Sequence, residues 1–159
     1  MNYLKNVFFI FFILNLLAAG FLWEEPYIPK AKINYWLLTD GREVYYLTND
    51  GFVYSFSPIS KKEQVLHSMY KPSSSPMVMA KNNLIFANEE GEVYAYSLLN
   101  KKIAWTFDPN KKFNVSKIKF LDAFESILAI VYENKLVVLK TDNGVELFSK
   151  DIENGLNVK

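Results

Sequence analysis

A short pattern of apolar and aromatic runs returns three times along the chain, and a repeat of this length constrains the fold more than any single motif. Gly51, Val53, Tyr54 and Phe56 stand 40 residues before Gly91, Val93, Tyr94 and Tyr96. Leu136, Leu139, Asn143 and Phe148 stand 43 residues after Val93, Tyr96, Asn100 and Trp105. The central copy is the most legible. Leu84 to Ala87 and Glu92 to Tyr96 flank Asn88-Glu89-Glu90-Gly91, and a glycine closing a polar cluster between two apolar runs predicts a hairpin. Asn100-Lys101-Lys102 then turns the chain into a third run, Ile103 to Phe107.

Each copy also has an apolar run ahead of it, at Tyr35 to Thr39, Met77 to Ala80 and Val115 to Leu121. Four strands in about 40 residues is the size of a propeller blade. Val93 and Ala95 point to one side of their strand and Tyr94 and Tyr96 to the other, so both sides are apolar, as in a sheet buried between neighbours. The predicted fold is all-β: a partial β-propeller of about three four-stranded blades, preceded by an N-terminal hydrophobic helix. The blades fall at about 33–70, 75–108 and 113–150, with 151–159 as the start of a further blade or a tail. Lys61 to Tyr70 reads as an outer strand, with an amphipathic helical turn as the alternative. Propellers have about four to eight blades. The sequence therefore predicts a truncated or half propeller, a six-bladed pair of chains, or a small independently closed barrel.

The segment Ala95-Tyr-Ser-Leu-Leu-Asn-Lys-Lys102-Ile-Ala-Trp105 resembles the blade motif Ala-x-Asp-x-x-Thr-Gly-Lys-x-x-Trp of the pyrroloquinoline-quinone-like β-propeller repeats. Ala95, Lys102 and Trp105 keep the spacing, while Ser97, Asn100 and Lys101 replace Asp, Thr and Gly. The third copy keeps Asn143-Gly144 with Phe148 at the Trp position; the first has Ser60-Lys61-Lys62 and Val65. The repeat residues singled out are thus Gly51, Tyr54, Gly91, Tyr94, Ala95, Lys102, Trp105, Asn143, Gly144 and Phe148. The resemblance implies either a quinone-dependent dehydrogenase or the non-enzymatic exported branch, which includes the propeller lipoprotein subunit of the outer-membrane β-barrel assembly machinery. The enzymes are larger, bind calcium and often carry a cysteine pair near the cofactor, and this chain has no cysteine.

At the N-terminus Lys5 precedes an apolar run from Val7 to Ala19, interrupted by Asn15, and Ala18-Ala19-Gly20 supplies small residues for cleavage between Gly20 and Phe21. Residues 1–20 read as a secretory signal peptide, with an uncleaved membrane anchor as the rival, and 21–32 as a Pro-bearing linker. Either way the body is exported, which points to the bacterial periplasm. A lipoprotein signal needs Cys where Phe21 stands. Without residues 1–20 the chain has 17 Lys and Arg against 17 Asp and Glu, a balance that points away from nucleic acid.

His67 is the only histidine, and no cysteine cluster, phosphate-binding glycine loop or nucleophile elbow occurs. Asp50, Glu89-Glu90 and Glu133 fall at hairpin turns, as solvated turn residues or an acidic rim. The expectation is a non-catalytic scaffold for protein–protein interaction in the cell envelope, with outer-membrane protein assembly as its setting and no cofactor or metal. Its partner is another protein or a second copy covering open blade faces, or the membrane if the anchor is retained. The alternatives are a fragment of a quinoprotein-like enzyme and a structural membrane-anchored domain.

Overall fold

Antiparallel pairing builds the chain in three rounds of four strands. The computed structural model describes residues 32–33, 37–115 and 117–152. Sheet I is β1 (Leu38–Thr39), β2 (Val44–Leu47), β3 (Phe52–Ser57) and β4 (Lys62–Ser68). Sheet II is β5 (Val78–Ala80), β6 (Asn83–Ala87), β7 (Val93–Ser97) and β8 (Lys102–Phe107). Sheet III is β9 (Ile118–Phe124), β10 (Ile127–Tyr132), β11 (Lys135–Lys140) and β12 (Glu146–Asp151). Strands within each sheet lie in chain order, and among the described residues no strand pairing merges the sheets into one barrel. The alternative of a helical turn at Lys61–Tyr70 gives way to β4, because Val65 and Gln64 pair with Tyr54 and Ser55 of β3. The hydrophobic helix read at 1–20, the Gly20/Phe21 cleavage site and all of the 21–32 linker but Lys32 lie outside the described residues. No helix of the described residues is long and apolar enough to cross a membrane.

The side-chain period of two divides sheet II between two cores. Leu84, Phe86 and Tyr96 pack with Tyr45, Leu47, Val53 and Met69 of sheet I and its exit. Ile85, Ala87, Val93, Ala95 and Trp105 pack with Leu121, Leu128, Ile130, Tyr132, Val137 and Leu139 of sheet III. The middle sheet is therefore apolar on both sides because both sides are covered, and a one-residue slip of β6 or β7 would exchange the two sets.

Turn geometry repeats with the sequence. Gly51 and Gly91 close the β2–β3 and β6–β7 turns at φ 85° and 78°, each donating its N–H to the carbonyl of Thr48 or Asn88 at 3.0 Å. Gly144 reaches φ 70° before β12, and the residues at that place in the other copies, Lys61 and Lys101, both adopt φ 52°. A lysine in this left-handed region carries the Cβ strain that glycine avoids. Lys101→Gly is expected to raise stability by about 0.5–1 kcal/mol, read as a higher urea midpoint with unchanged slope.

The crossing from sheet I to sheet II laces the two glycine turns together. Ser73 donates its backbone N–H to the Asn49 carbonyl at 3.2 Å and its hydroxyl to the Thr48 carbonyl at 3.0 Å, while Glu89 donates its N–H to the Pro72 carbonyl at 2.8 Å. Ser74 binds the Ala87 and Asn88 carbonyls. The next crossing carries a 3-10 turn at Pro109–Lys111, started by Asp108, and Asn110 Nδ2 donates to the Glu90 carbonyl at 3.2 Å. Deeper in, the Tyr132 hydroxyl donates to the Gly91 carbonyl at 3.1 Å.

Candidate functional site

Among the described residues, sheet III packs against a neighbouring sheet on one side. Pairing sets three cross-strand rows on its other side: Phe124, Ile127 and Lys140; Asp122, Ala129, Val138 and Phe148; Phe120, Val131, Leu136 and Lys150. Phe120, Phe124, Ile127 and Phe148 are between 41% and 77% exposed. Ala129, Val131, Leu136 and Val138 between them are half-buried. By repeat position, Leu136, Val138 and Phe148 correspond to Val93, Ala95 and Trp105, the side of sheet II that sheet III itself covers. Isolated exposed apolar residues are ordinary, whereas a continuous sheet face of them marks an interaction surface.

The outward side of sheet I differs. It carries Val44, Tyr46, Tyr54 and Phe56, which correspond to Leu84, Phe86, Tyr94 and Tyr96. Tyr46 is 2% and Phe56 9% exposed, and Tyr46 stacks on Tyr54 with centroids 5.1 Å apart. Val65, opposite Tyr54, is 47% exposed, so among the described residues the more open of the two lateral faces is that of sheet III.

The repeat residues divide between packing and surface. Trp105, 8% exposed, fills the space between sheets II and III; its indole Nε1–H donates to the Thr141 carbonyl at 2.9 Å. Ala95 lies opposite it, buried. Asn143 accepts the Val145 N–H at 3.1 Å in the turn that holds Gly144. Tyr94 is half-buried against Phe86, with centroids 5.9 Å apart, whereas Lys102 and Phe148 are exposed. Val65 does not replace Trp105. The β3–β4 register shift falls at Val53/Tyr54, whereas the corresponding shifts fall at Ala95/Tyr96 and Val138/Leu139. Val65 consequently pairs with Tyr54 on the outward side of sheet I. Sequence reasoning missed the struts Thr141 and Tyr132 and the row-forming Phe120, Phe124 and Ile127; alternation in β9 and β10 was the available signal for the last three.

Charged groups cluster where the turns meet. Glu92 accepts from the Tyr94 hydroxyl at 2.9 Å and from Asn88 Nδ2 at 2.6 Å, and Lys71 bridges Glu90 and Glu92. Burial, then the bond to Glu92, pushes the Tyr94 hydroxyl up to about 12. Of the acidic turn residues, Asp50 accepts the Thr48 hydroxyl at 2.5 Å, and the Glu133 carbonyl accepts from Lys119 Nζ at 3.4 Å. Among the described residues no group of three or more His, Asp or Glu is placed to hold a metal ion.

His67 lies beside the stacked pair Phe86 and Tyr94, with ring centroids 5.9 and 5.8 Å away. Burial lowers its pKa, so the unfolded chain binds a proton that the folded chain refuses, and stability falls as pH drops below the ordinary imidazole value of about 6.5. The carboxylates held low, Asp40 and Glu146 among them, lose their contribution only further down, below about pH 4.5. Between pH 7 and 5 the thermal midpoint is expected to fall, and His67→Phe to flatten that dependence.

No family model and no curated protein sequence matches the chain. Solved structures do. BamB from Moraxella catarrhalis superposes with a TM-score of 0.63 at 14% identity over 86% of this chain and 43% of that one. The Cps50 (Swd1) β-propeller domain from Myceliophteria thermophila gives 0.63 at 12% identity over 80% and 41%. Quinohemoprotein alcohol dehydrogenase from Comamonas testosteroni gives 0.63 at 7% identity over 76% and 21%. The class these likenesses define is the β-propeller: sheets I to III are successive blades. The chain spans less than half the length of each of these neighbours. At such low identity the likeness carries the fold alone.

Proposed function

We propose that the chain is a non-catalytic β-propeller-type scaffold that binds protein in the cell envelope, exported to the bacterial periplasm, with outer-membrane protein assembly as the first process to examine. One observation carries the binding role: an apolar blade face is exposed on sheet III while its counterpart on sheet II is buried in a core. Export rests on the N-terminal pattern of Lys5, the apolar run and Ala18-Ala19-Gly20. A photo-reactive phenylalanine analogue at position 148 should capture protein in living cells, and the same group at Ile59, 93% exposed in a turn away from that face, should not. Equal capture at both positions overturns the reading. The enzymatic alternative is tested by equilibrium dialysis of the full chain against pyrroloquinoline quinone with calcium, where tight one-to-one binding would displace the scaffold.

A further inference from the structure

Resting on that reading, we infer that the occupant of the open face is the same face of a second copy, the two third blades packing sheet on sheet about a two-fold axis. Two arrangements of copies are conceivable. A head-to-tail ring would join sheet III of one copy to sheet I of the next, repeating the contacts inside the chain, but Tyr46 and Phe56 on sheet I are already buried. Among the described residues the third face carries the larger exposed apolar surface, Phe120, Phe124, Ile127 and Phe148 against Val65 on the outward side of sheet I, and two identical faces make the isologous interface commonest among oligomers.

Charge placement fits a two-fold axis running along the strands. Such an axis lays β9 of one copy over β12 of the other. Asp122 is an exposed acid on β9 and Lys150 an exposed base on β12, at opposite margins of the same face. Each copy's acidic margin then lies over the other's basic margin, Asp122 over Phe148 and one row, about 7 Å along the strand, from the opposing Lys150, on either side of an apolar centre of Ala129, Val131, Leu136 and Val138. An axis across the strands would set Asp122 over Asp122. A face four strands wide and six residues long covers roughly 400 Å² in plan, so the pair removes on the order of 1,000 Å² of accessible surface, at the lower edge of stable interfaces. Covalent trapping is therefore a better readout than mass alone.

The absence of native cysteine makes the trap specific. Val138 is near the middle of the face, and packed sheets lie about 10 Å apart, beyond disulfide reach but within that of a short bis-maleimide. Full-length chain carrying Val138→Cys, treated with a cell-permeant bis-maleimide in intact cells, should give a species of twice the chain mass; Ile59→Cys should not. Adding Phe148→Asp should lower the linked fraction at least about tenfold while far-ultraviolet circular dichroism of the purified chain is retained. Asp122→Lys and Lys150→Asp should each weaken linkage, and the two together should restore it. Linkage to a partner of different mass, or linkage that requires Tyr54→Cys on the other copy, overturns the inference and leaves the interaction module standing. No adduct of any mass from folded Val138→Cys overturns both.

Discussion

Trp105→Ala should lower the unfolding free energy by about 3–5 kcal/mol, a fall of roughly 10–20 °C in thermal midpoint. The indole is the largest side chain that sheet II sends into the core it shares with sheet III, and it lies against Gly144 so closely that a Cβ there would be 2.7 Å from its Cε3. Truncation opens a cavity between two rigid sheets that cannot easily collapse, and it removes one of the two donors to the Thr141 carbonyl, the other being Asn83 Nδ2 at 3.1 Å. Against a typical total of about 5–15 kcal/mol, such a loss leaves the fold marginal. Trp105→Phe should recover the apolar part and cost less than half as much, so comparing the two variants by urea denaturation separates packing from the hydrogen bond.

Gly51→Ala should cost about 2–4 kcal/mol, for a different reason. At φ 85° any Cβ is strained, and here it would lie 1.9 Å from the Lys71 carbonyl oxygen, a backbone atom. That carbonyl belongs to the crossing that ties the Thr48 and Asn88 turns together, so relief in one blade disturbs the next. Gly41 supplies the control. Its φ is 88°, yet nothing lies within 4 Å of an added Cβ, so Gly41→Ala should cost only the backbone strain, about 1 kcal/mol. A thermal melt of the pair distinguishes steric contact from φ; equal losses would show that the Lys71 approach is unimportant.

The legibility of the fold in the sequence follows from how local each determinant is. Four strands per copy were readable because Gly51 and Gly91 punctuate runs whose alternation spans only a few residues. The two-sided burial of sheet II was readable for the same reason: Val93 and Ala95 oppose Tyr94 and Tyr96 in a single pentapeptide. The place of Val65 was not, since it depends on one register shift between β3 and β4 that leaves no mark in either strand. Nor could the sequence distinguish the buried Tyr46 on the outward side of sheet I from the exposed Phe148 on sheet III, because both are large aromatics and their burial is a tertiary fact. Thr141 escaped notice because its backbone carbonyl, which any residue would supply, receives the Trp105 indole.

The stacking of successive blades is the claim from which the open face, the buried tryptophan and the glycine constraints all follow. The most direct test is the nuclear Overhauser effect between the Trp105 indole ring protons and the Gly144 α-protons, 39 residues apart in the chain and in contact only if sheets II and III pack face to face. A strong cross-peak is the predicted result. Assigned resonances with no cross-peak, and a Trp105 indole N–H that exchanges with solvent as fast as in the unfolded chain, would contradict it.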